Sequence, residues 1–128
     1  NYSKSECDFI GELVNSLNLK DDEYYSAING KQFFRNFKEI GRTFAYDFVY
    51  NKKIIEFNGD YWHCNPELYE ADYFNKSSQR TSSETWKFDN LKNSLIKNHG
   101  YEVLVIWEND WINNPKQTLE KCIKYLNR

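Results

Sequence analysis

The chain contains 128 residues, 40% of them hydrophobic and 18% aromatic, and its 17 Lys plus Arg against 19 Asp plus Glu give a net charge of −2. This length predicts one compact domain, residues 1–128, with a sizeable core. The balance of charge argues against a free-standing protein that holds nucleic acid through phosphate attraction alone. An acidic metal site also lowers the net charge until its cations bind, so the count does not exclude a metal-dependent enzyme.

The three cysteines, Cys7, Cys64 and Cys122, are an odd number without C-x-x-C spacing. This pattern argues against a disulfide framework and favours a reducing, intracellular setting. No apolar run is long enough to cross a membrane, and the start of the chain has no signal-peptide pattern. Because the chain begins with Asn rather than Met, we expect a fragment of a longer protein.

The first predicted element is a helix. Ser3 and Glu6 have the spacing of a capping box, and an apolar stripe follows at Ile10, Leu13, Val14 and Leu17. Glu12 lies at the edge of this stripe, so it either is solvated or points along the surface of the core. Residues 18–43 are harder to interpret, with a turn signal at Asn29-Gly30 and a candidate strand from Tyr24 to Ile28.

Two strands are predicted next, from Phe44 to Tyr50 and from Lys53 to Phe57, because both segments are rich in aromatic and β-branched residues. If Asn51-Lys52 forms the loop of a hairpin, the register places Asp47 directly opposite Glu56. Opposed side chains lie roughly 5 Å apart at Cβ, and like charges there destabilise a sheet.

A sheet accepts a pair such as Asp47 and Glu56 most readily when a cation lies between the carboxylates. Magnesium is the hard cation that best suits such oxygen ligands. The alternative is that either carboxylate is simply solvated. His63 closes the Gly-Asp-Tyr-Trp-His turn that follows the second strand, and histidine side chains exchange protons near neutral pH.

The second half of the chain predicts a helix, a strand and a helix. After a polar, irregular stretch over 65–83, Thr81 and Glu84 form a capping-box pattern that opens a helix ending at Gly100. The nearly continuous apolar run from Tyr101 to Trp107 predicts a strand covered on both faces. Asn114-Pro115 starts the last helix, whose apolar positions are Leu119, Cys122, Ile123 and Leu126.

This order of elements predicts an α/β fold with one mixed sheet flanked by helices. A helix that leads from the hairpin into the later strand implies a parallel crossover. Asp89 and Lys92 lie three residues apart on that helix and therefore share a face. They form either a surface ion pair or, for Lys92, a contact with phosphate.

The order αβββαβα, with Asp47 and Glu56 on successive strands, resembles the core of the PD-(D/E)XK nuclease superfamily. The closer resemblance is to very-short-patch-repair (Vsr) endonucleases and to phage homing endonucleases with a Vsr-like domain. It is carried by YDFVY around Asp47, by IIEFNGDYWH from Ile54 to His63, and by DNLKNSLIKNHGYEVLVIWEND over 89–110. It covers roughly residues 12–110.

The resemblance implies a magnesium-dependent DNA endonuclease, with manganese able to substitute for magnesium. Asp47, Glu56 and the Phe57 carbonyl would bind the metal, and an acidic residue on the first helix, here Glu12, would orient water. His63 would carry general acid–base work, and Asp89 would support the site. Phosphodiester hydrolysis by metal-activated water is the expected chemistry.

The resemblance also implies a contact with the bases. The aromatic pair at the position of Tyr61 and Trp62 wedges between base steps in Vsr-like enzymes. We expect one of the two rings to pack in the core and the other to be exposed. Asp60 either caps the turn or binds water on the metal.

The chain departs from the resembled pattern at two places. Asn58 stands where the superfamily carries a lysine, so the basic role falls to His63 or Lys92. Vsr repair enzymes bind a structural zinc after the Trp-His dipeptide, whereas only His63 and Cys64 are near it here, and we do not expect a zinc site. The lost zinc ligands favour the homing-endonuclease branch.

The sequence thus predicts a single Vsr-like catalytic domain that acts on double-stranded DNA, in the cytoplasm of a bacterial or phage-infected host. We expect site specificity to reside in a separate DNA-binding region of a longer protein. Four alternatives stay open: a mismatch-nicking repair enzyme, a resolvase or restriction nuclease with the same core, a module that binds DNA without cutting it, and a structural or interaction domain in which Asp47 and Glu56 are merely solvated. Self-association for double-strand cleavage also stays open, and no contact with a membrane is expected.

Overall fold

A mixed four-stranded sheet with helices on both faces forms the centre of the computed structural model, which describes residues 2–128. The helices are α1 (Lys4–Leu17), α2 (Ser82–Asn98), α3 (Glu108–Asn113) and α4 (Pro115–Asn127). The strands are β1 (Tyr25–Ser26), β2 (Phe33–Phe37), β3 (Arg42–Tyr46), β4 (Phe48–Tyr50), β5 (Lys53–Asn58), β6 (Phe74–Asn75), β7 (Arg80–Thr81) and β8 (Glu102–Trp107). A 3-10 turn, Ala27–Asn29, follows β1.

The order of strands in the main sheet is β1-β4-β5-β8. The β4–β5 pair is antiparallel, and Tyr50 lies opposite Lys53 and Phe48 opposite Ile55, which is the predicted register. Asn51 in the two-residue loop has a φ of 56°, the left-handed conformation that such hairpin loops require. β5 and β8 are parallel and are joined through α2, which confirms a mixed α and β fold with a mixed sheet.

The two faces of the sheet are covered by different elements. One core combines α1, α4 and inward-facing sheet residues, among them Phe9, Leu13, Phe48, Ile55, Cys122 and Leu126. The other core joins α2 to the sheet and to the β2–β3 hairpin through Phe37, Phe44, Tyr46, Val49, Ile54, Leu95 and Ile96. Strand alternation explains this division, because neighbouring residues such as Ile54 and Ile55 point to opposite faces.

The predicted continuous strand from Phe44 to Tyr50 is interrupted at Asp47. The residues before Asp47 pair with β2 in a separate two-stranded sheet, whereas those after it join the main sheet. The reason is a contact with a side chain of β5, because the Asp47 backbone N–H donates to Glu56 Oε1 at 2.8 Å instead of to a neighbouring strand.

Other expectations need smaller corrections. The candidate strand from Tyr24 to Ile28 shortens to Tyr25–Ser26, since the Ser26 hydroxyl accepts from the Ile28 N–H and starts a 3-10 turn. The β6–β7 hairpin lies within the stretch expected to be irregular. β8 packs on both cores, through Leu104 and Ile106 on one face and Val103 on the other, as predicted. It is an edge strand, however, and only Ile106 is fully buried.

The predicted helix boundaries agree with the structure. At the start of α2 the Thr81 N–H donates to Glu84 Oε1 at 2.9 Å, and the Glu84 N–H donates to Thr81 Oγ1 at 3.2 Å, which confirms the capping box. α4 begins at Pro115 as expected, but α3 was not predicted. Across residues 2–128, no helix is long and apolar enough to cross a membrane.

Candidate functional site

A cavity of about 450 Å³ opens beside the C-terminal half of β5, where the start of α1, the middle of α2 and the turn after β5 meet. Its lining residues are Tyr2, Ser3, Glu6, Asp47, Glu56, Phe57, Gly59, Trp62, His63 and Lys92. A larger cavity, of about 970 Å³, runs along α4, but Glu120 is the one acidic side chain in its lining, which otherwise consists of basic and apolar side chains and Gln117. We therefore regard the acidic cavity as the candidate functional site.

Two hydrogen bonds in opposite directions join Asp47 to the Glu56-Phe57 segment of β5. Glu56 Oε1 accepts from the Asp47 N–H at 2.8 Å, and Asp47 Oδ2 accepts from the Phe57 N–H at 2.8 Å. Each carboxylate is thus fixed by the backbone of the opposite segment, and both line the cavity. The structure brings the predicted pair together in the predicted register.

Lys92 provides the cation that faces this pair. Its Nζ lies 2.7 Å from Glu56 Oε2, and the two side chains are 17% and 6% exposed. Tyr46 holds the lysine from the other side, because its hydroxyl donates to the Lys92 carbonyl at 2.9 Å and its ring centroid lies 4.7 Å from Nζ. An ammonium from α2 therefore reaches the carboxylates, whereas the buried Asn58 does not line the cavity.

The acid on α1 that reaches the cavity is Glu6, which corrects the expectation for Glu12. Glu12 is exposed and lies outside the cavity lining, whereas Glu6 is 8% exposed. The Ser3 hydroxyl accepts from the Glu6 N–H at 3.1 Å, so the capping pattern positions Glu6 as well as starting the helix. Glu6, Phe9, Ile10 and Leu13 share one buried face at helical spacing, a signal that could have distinguished Glu6 from Glu12.

The clustered carboxylates perturb each other. The pKa of Asp47 lies well above its usual value, because of burial first and then of the charges of Glu56 and Glu6. Burial, followed by the charge of Glu56, raises the pKa of Glu6 to about 7. Strongly raised carboxyl pKa values in a cleft are typical of functional sites, and a bound cation would relieve the repulsion that contributes to them.

His63 and Asp89 form a hydrogen-bonded pair at the edge of the cavity. His63 Nδ1 lies 2.8 Å from Asp89 Oδ2, and the side chains are 34% and 20% exposed. This contact assigns the Nδ1 proton to the Asp89 hydrogen bond and leaves Nε2 free to exchange a proton. Asp89 thus orients His63 and does not itself line the cavity.

The turn after β5 presents its two aromatic side chains to solvent. Tyr61 is 37% and Trp62 is 58% exposed, so the expectation that one ring packs in the core is wrong. The Tyr61 hydroxyl lies 2.8 Å from Ser77 Oγ, and the Asn75 side-chain amide donates to the Tyr61 carbonyl at 3.0 Å. The β6–β7 hairpin therefore supports Tyr61, while Trp62 lines the cavity mouth.

Asp60 stabilises the turn after β5 by accepting hydrogen bonds. Its Oδ1 accepts from the Asn65 side-chain amide at 2.9 Å and from the Asn109 N–H at 3.3 Å. Asp60 does not line the cavity. Of the two roles left open by the sequence, these contacts match the capping role.

The donor set suits a hard cation without forming a closed cage. Asp47 and Glu56 supply carboxylate oxygens and Phe57 lines the same cavity, but both Glu56 oxygens already accept hydrogen bonds. Across the described residues, no group of three or more His, Cys, Asp or Glu side chains is arranged to hold a metal ion. Magnesium is compatible with such a partial site, since it is commonly bound by one or two carboxylates together with waters and substrate phosphates.

No family model matches the chain, and neither the curated proteins nor the solved structures compared with it provide a match.

Proposed function

We propose that this chain is a magnesium-dependent endonuclease domain that hydrolyses phosphodiester bonds in double-stranded DNA, with the PD-(D/E)XK arrangement of Vsr-like nucleases. The observation that carries the proposal is the fixed pair of Asp47 and Glu56 with Lys92 beside it, in one cavity open to solvent. The assignment to homing endonucleases rests on the sequence resemblance alone.

Asp47, Glu56 and the Phe57 carbonyl would hold the cation, and manganese would substitute for magnesium. The bound cation would supply Lewis-acid stabilisation of the negative charge on the phosphodiester. Lys92, held against Tyr46 at the cavity wall, would contact a phosphate oxygen and neutralise charge that develops during hydrolysis.

Two residues of the cavity are suited to proton transfer. Glu6 has a pKa raised to about 7 by burial and by Glu56, so it can accept a proton from an attacking water near neutral pH. His63 would donate a proton to the leaving oxygen from Nε2, since Asp89 engages its Nδ1. Trp62 at the mouth of the cavity and Tyr61 beside it would insert against the bases and open the duplex next to the cut.

The test is digestion of supercoiled plasmid with magnesium, manganese, calcium or EDTA, using the wild type beside Asp47→Ala and the isosteric Asp47→Asn. Nicked or linear product is expected with magnesium and manganese and is expected to be lost in both variants. Asp22→Asn, at an exposed position distant in sequence from the site, is the matched control and should cleave like the wild type. Equal activity of Asp47→Ala and the wild type would exclude this assignment.

One observation favours a second function, a DNA-binding module without hydrolytic activity. Lys92 and the Asp47 N–H occupy both oxygens of Glu56, so an ammonium could take the place of the cation permanently. In that case the plasmid would stay supercoiled with every metal, while the same protein would retard a DNA duplex in EDTA.

A further inference from the structure

Two arginines stack on one aromatic ring of α2. The guanidinium carbon of Arg80 lies 4.8 Å from the centroid of the Phe88 ring, and that of Arg42 lies 5.0 Å from the same centroid. The guanidinium carbon of Arg42 also lies 5.3 Å from the ring centroid of Phe44, which packs edge-on against Phe88. The two cations therefore lie within about 10 Å of each other and repel.

Neither arginine has an internal partner for its charge. Within residues 2–128, no hydrogen bond or ion pair joins Arg42 or Arg80 to a carboxylate. Glu84 lies near Arg80, but its Oε1 accepts from the Thr81 N–H and hydroxyl at the helix cap. Both arginines are exposed and each guanidinium lies over the Phe88 ring, so their N–H donors remain available to a planar or tetrahedral oxyanion.

The arginine pair lies along the line of contact between β3 and α2, which we call the seam and which continues to the acidic cavity. Arg42, Phe44 and Tyr46 alternate along β3 and share one face. Phe88 and Lys92 are one turn apart on α2. Phe44 packs on Phe88 and Tyr46 packs on Lys92. Positively charged side chains therefore lie along the seam from the arginine pair to Lys92 at the carboxylate cavity.

We propose that Arg42 and Arg80 form a phosphate clamp that binds backbone phosphates of the DNA substrate at a distance from the cleaved bond. The proposal deepens the function given above and rests on it for the identity of the substrate. It also allows DNA binding at a net charge of −2, because the clamp supplies two positive charges that no carboxylate of the described residues pairs at one place on the surface. Phosphate contacts of this kind fix the register of the duplex without reading its sequence.

The test measures binding of a short fluorescent DNA duplex by anisotropy across a salt series, in EDTA and in the Asp47→Asn background. These conditions separate binding from cleavage. Arg42→Gln with Arg80→Gln should lower the magnitude of the slope of log K against log salt by about 2, since each phosphate contact contributes roughly 0.9. The matched control, Lys116→Gln with Lys124→Gln on α4, removes the same charge from two exposed residues and should leave the slope unchanged.

A second variant separates the effect of the positive charge from that of the guanidinium group. Arg42→Lys with Arg80→Lys retains the charge but loses the planar fork and its stacking, so it should bind more weakly than the wild type and more tightly than the Gln pair. Thermal melting verifies that each variant is folded. Equal losses in the Gln pair and the α4 control would overturn the clamp, and so would absence of DNA binding by the folded Asp47→Asn parent at low salt. A wild type that binds through the clamp but never cleaves would overturn the nuclease and leave the clamp intact.

Discussion

Lys92 and Glu56 form an ion pair, with Nζ 2.7 Å from Oε2, between two side chains that are largely removed from solvent. Lys92 comes from the middle of α2, thirty-six residues after its partner. In the resembled superfamily a lysine is expected on the strand itself, at the position of Asn58. The ion pair places an ammonium beside the strand carboxylate from another element, and this position supports our proposal that Lys92 takes the basic role while His63 transfers a proton.

Replacing Lys92 by Met should destabilise the protein, because Glu56 would keep its charge in a buried position without a partner. Loss of one member of a buried pair costs about 3 kcal/mol or more. Urea unfolding near neutral pH measures the change, and Lys87→Met on the exposed face of the same helix is the control. Adding Glu56→Gln to Lys92→Met should restore much of the loss; a double variant as unstable as Lys92→Met would show that the charge of Glu56 is not the cause.

The stability of the protein should depend on the ionisation of Glu6. Its folded-state pKa of about 7 lies above the ordinary value of 4.5, so the folded state binds the extra proton between these pH values. Stability is therefore lost as the pH rises from 4.5 to about 7. Glu6→Gln removes this loss and should gain stability relative to the wild type over the same window, by at most about 3 kcal/mol.

The measurement for Glu6 is the free energy of unfolding of the wild type and the variant at about pH 5 and pH 8. Glu12→Gln, on the exposed side of the same helix, is the control and should show the pH dependence of the wild type. A constant difference between Glu6→Gln and the wild type across this range would contradict the raised pKa.

Magnesium should stabilise the folded protein if Asp47 and Glu56 hold it. A cation that binds only the folded state adds about 1.4 kcal/mol at ten times its Kd. The melting temperature should therefore rise with magnesium for the wild type and return to its starting value with EDTA. Asp47→Asn, which keeps an acceptor for the Phe57 N–H, should not respond; an equal rise in this variant would place the bound magnesium elsewhere.

His63 and Asp89 should contribute unequally to cleavage. His63→Ala removes the proton-transfer group and should lower kcat by roughly 10²–10⁴-fold. Asp89→Asn leaves the imidazole but changes its hydrogen bond at Nδ1, so it should lower kcat less and shift the pH–rate profile. His99→Ala, which removes the chain's other histidine and its contact with Glu39, should retain activity, and a similar loss in His99→Ala would indicate damage to the fold.

Replacing Trp62 should weaken the binding and cleavage of duplex DNA without lowering the stability of the folded protein. Its side chain is 58% exposed, so Trp62→Ala is expected to melt like the wild type but to bind and cleave duplex DNA less well, by about 1–3 kcal/mol if one base stacks on the ring. Phe34→Ala removes another exposed aromatic side chain, 64% exposed on β2, and serves as the control. Equal losses in both variants would indicate a general effect of surface aromatics.

The parts of the fold that were predicted correctly follow from short-range signals. The β4–β5 register depends on a two-residue loop, and the start of α2 on the reciprocal contacts of Thr81 and Glu84. Such signals need only neighbouring residues, so they can be recognised in the sequence. The break at Asp47 could not, because it depends on Glu56 accepting the backbone hydrogen bond that a strand partner would otherwise take.

The residues of the candidate site could likewise be predicted only in part. Asp47 and Glu56 could be paired from the hairpin register, whereas the partner of Lys92 depends on how α2 packs across the sheet. Glu6 was missed because its position in a capping pattern already explained its presence. Its place on the apolar face of α1 could be recognised from helical spacing, but its approach to Asp47 and Glu56 becomes evident only when the start of α1 is packed beside β5.

Asp47 lies where the chain leaves the β2–β3 hairpin and enters the main sheet. The hairpin pairs with no strand of that sheet and is held to it by the side chains of the second core. A local opening of the hairpin would therefore displace Asp47 from Glu56 and uncover the side of α2 that packs on the hairpin. For the proposed nuclease, a docked hairpin would therefore be a condition for cleavage as well as for stability.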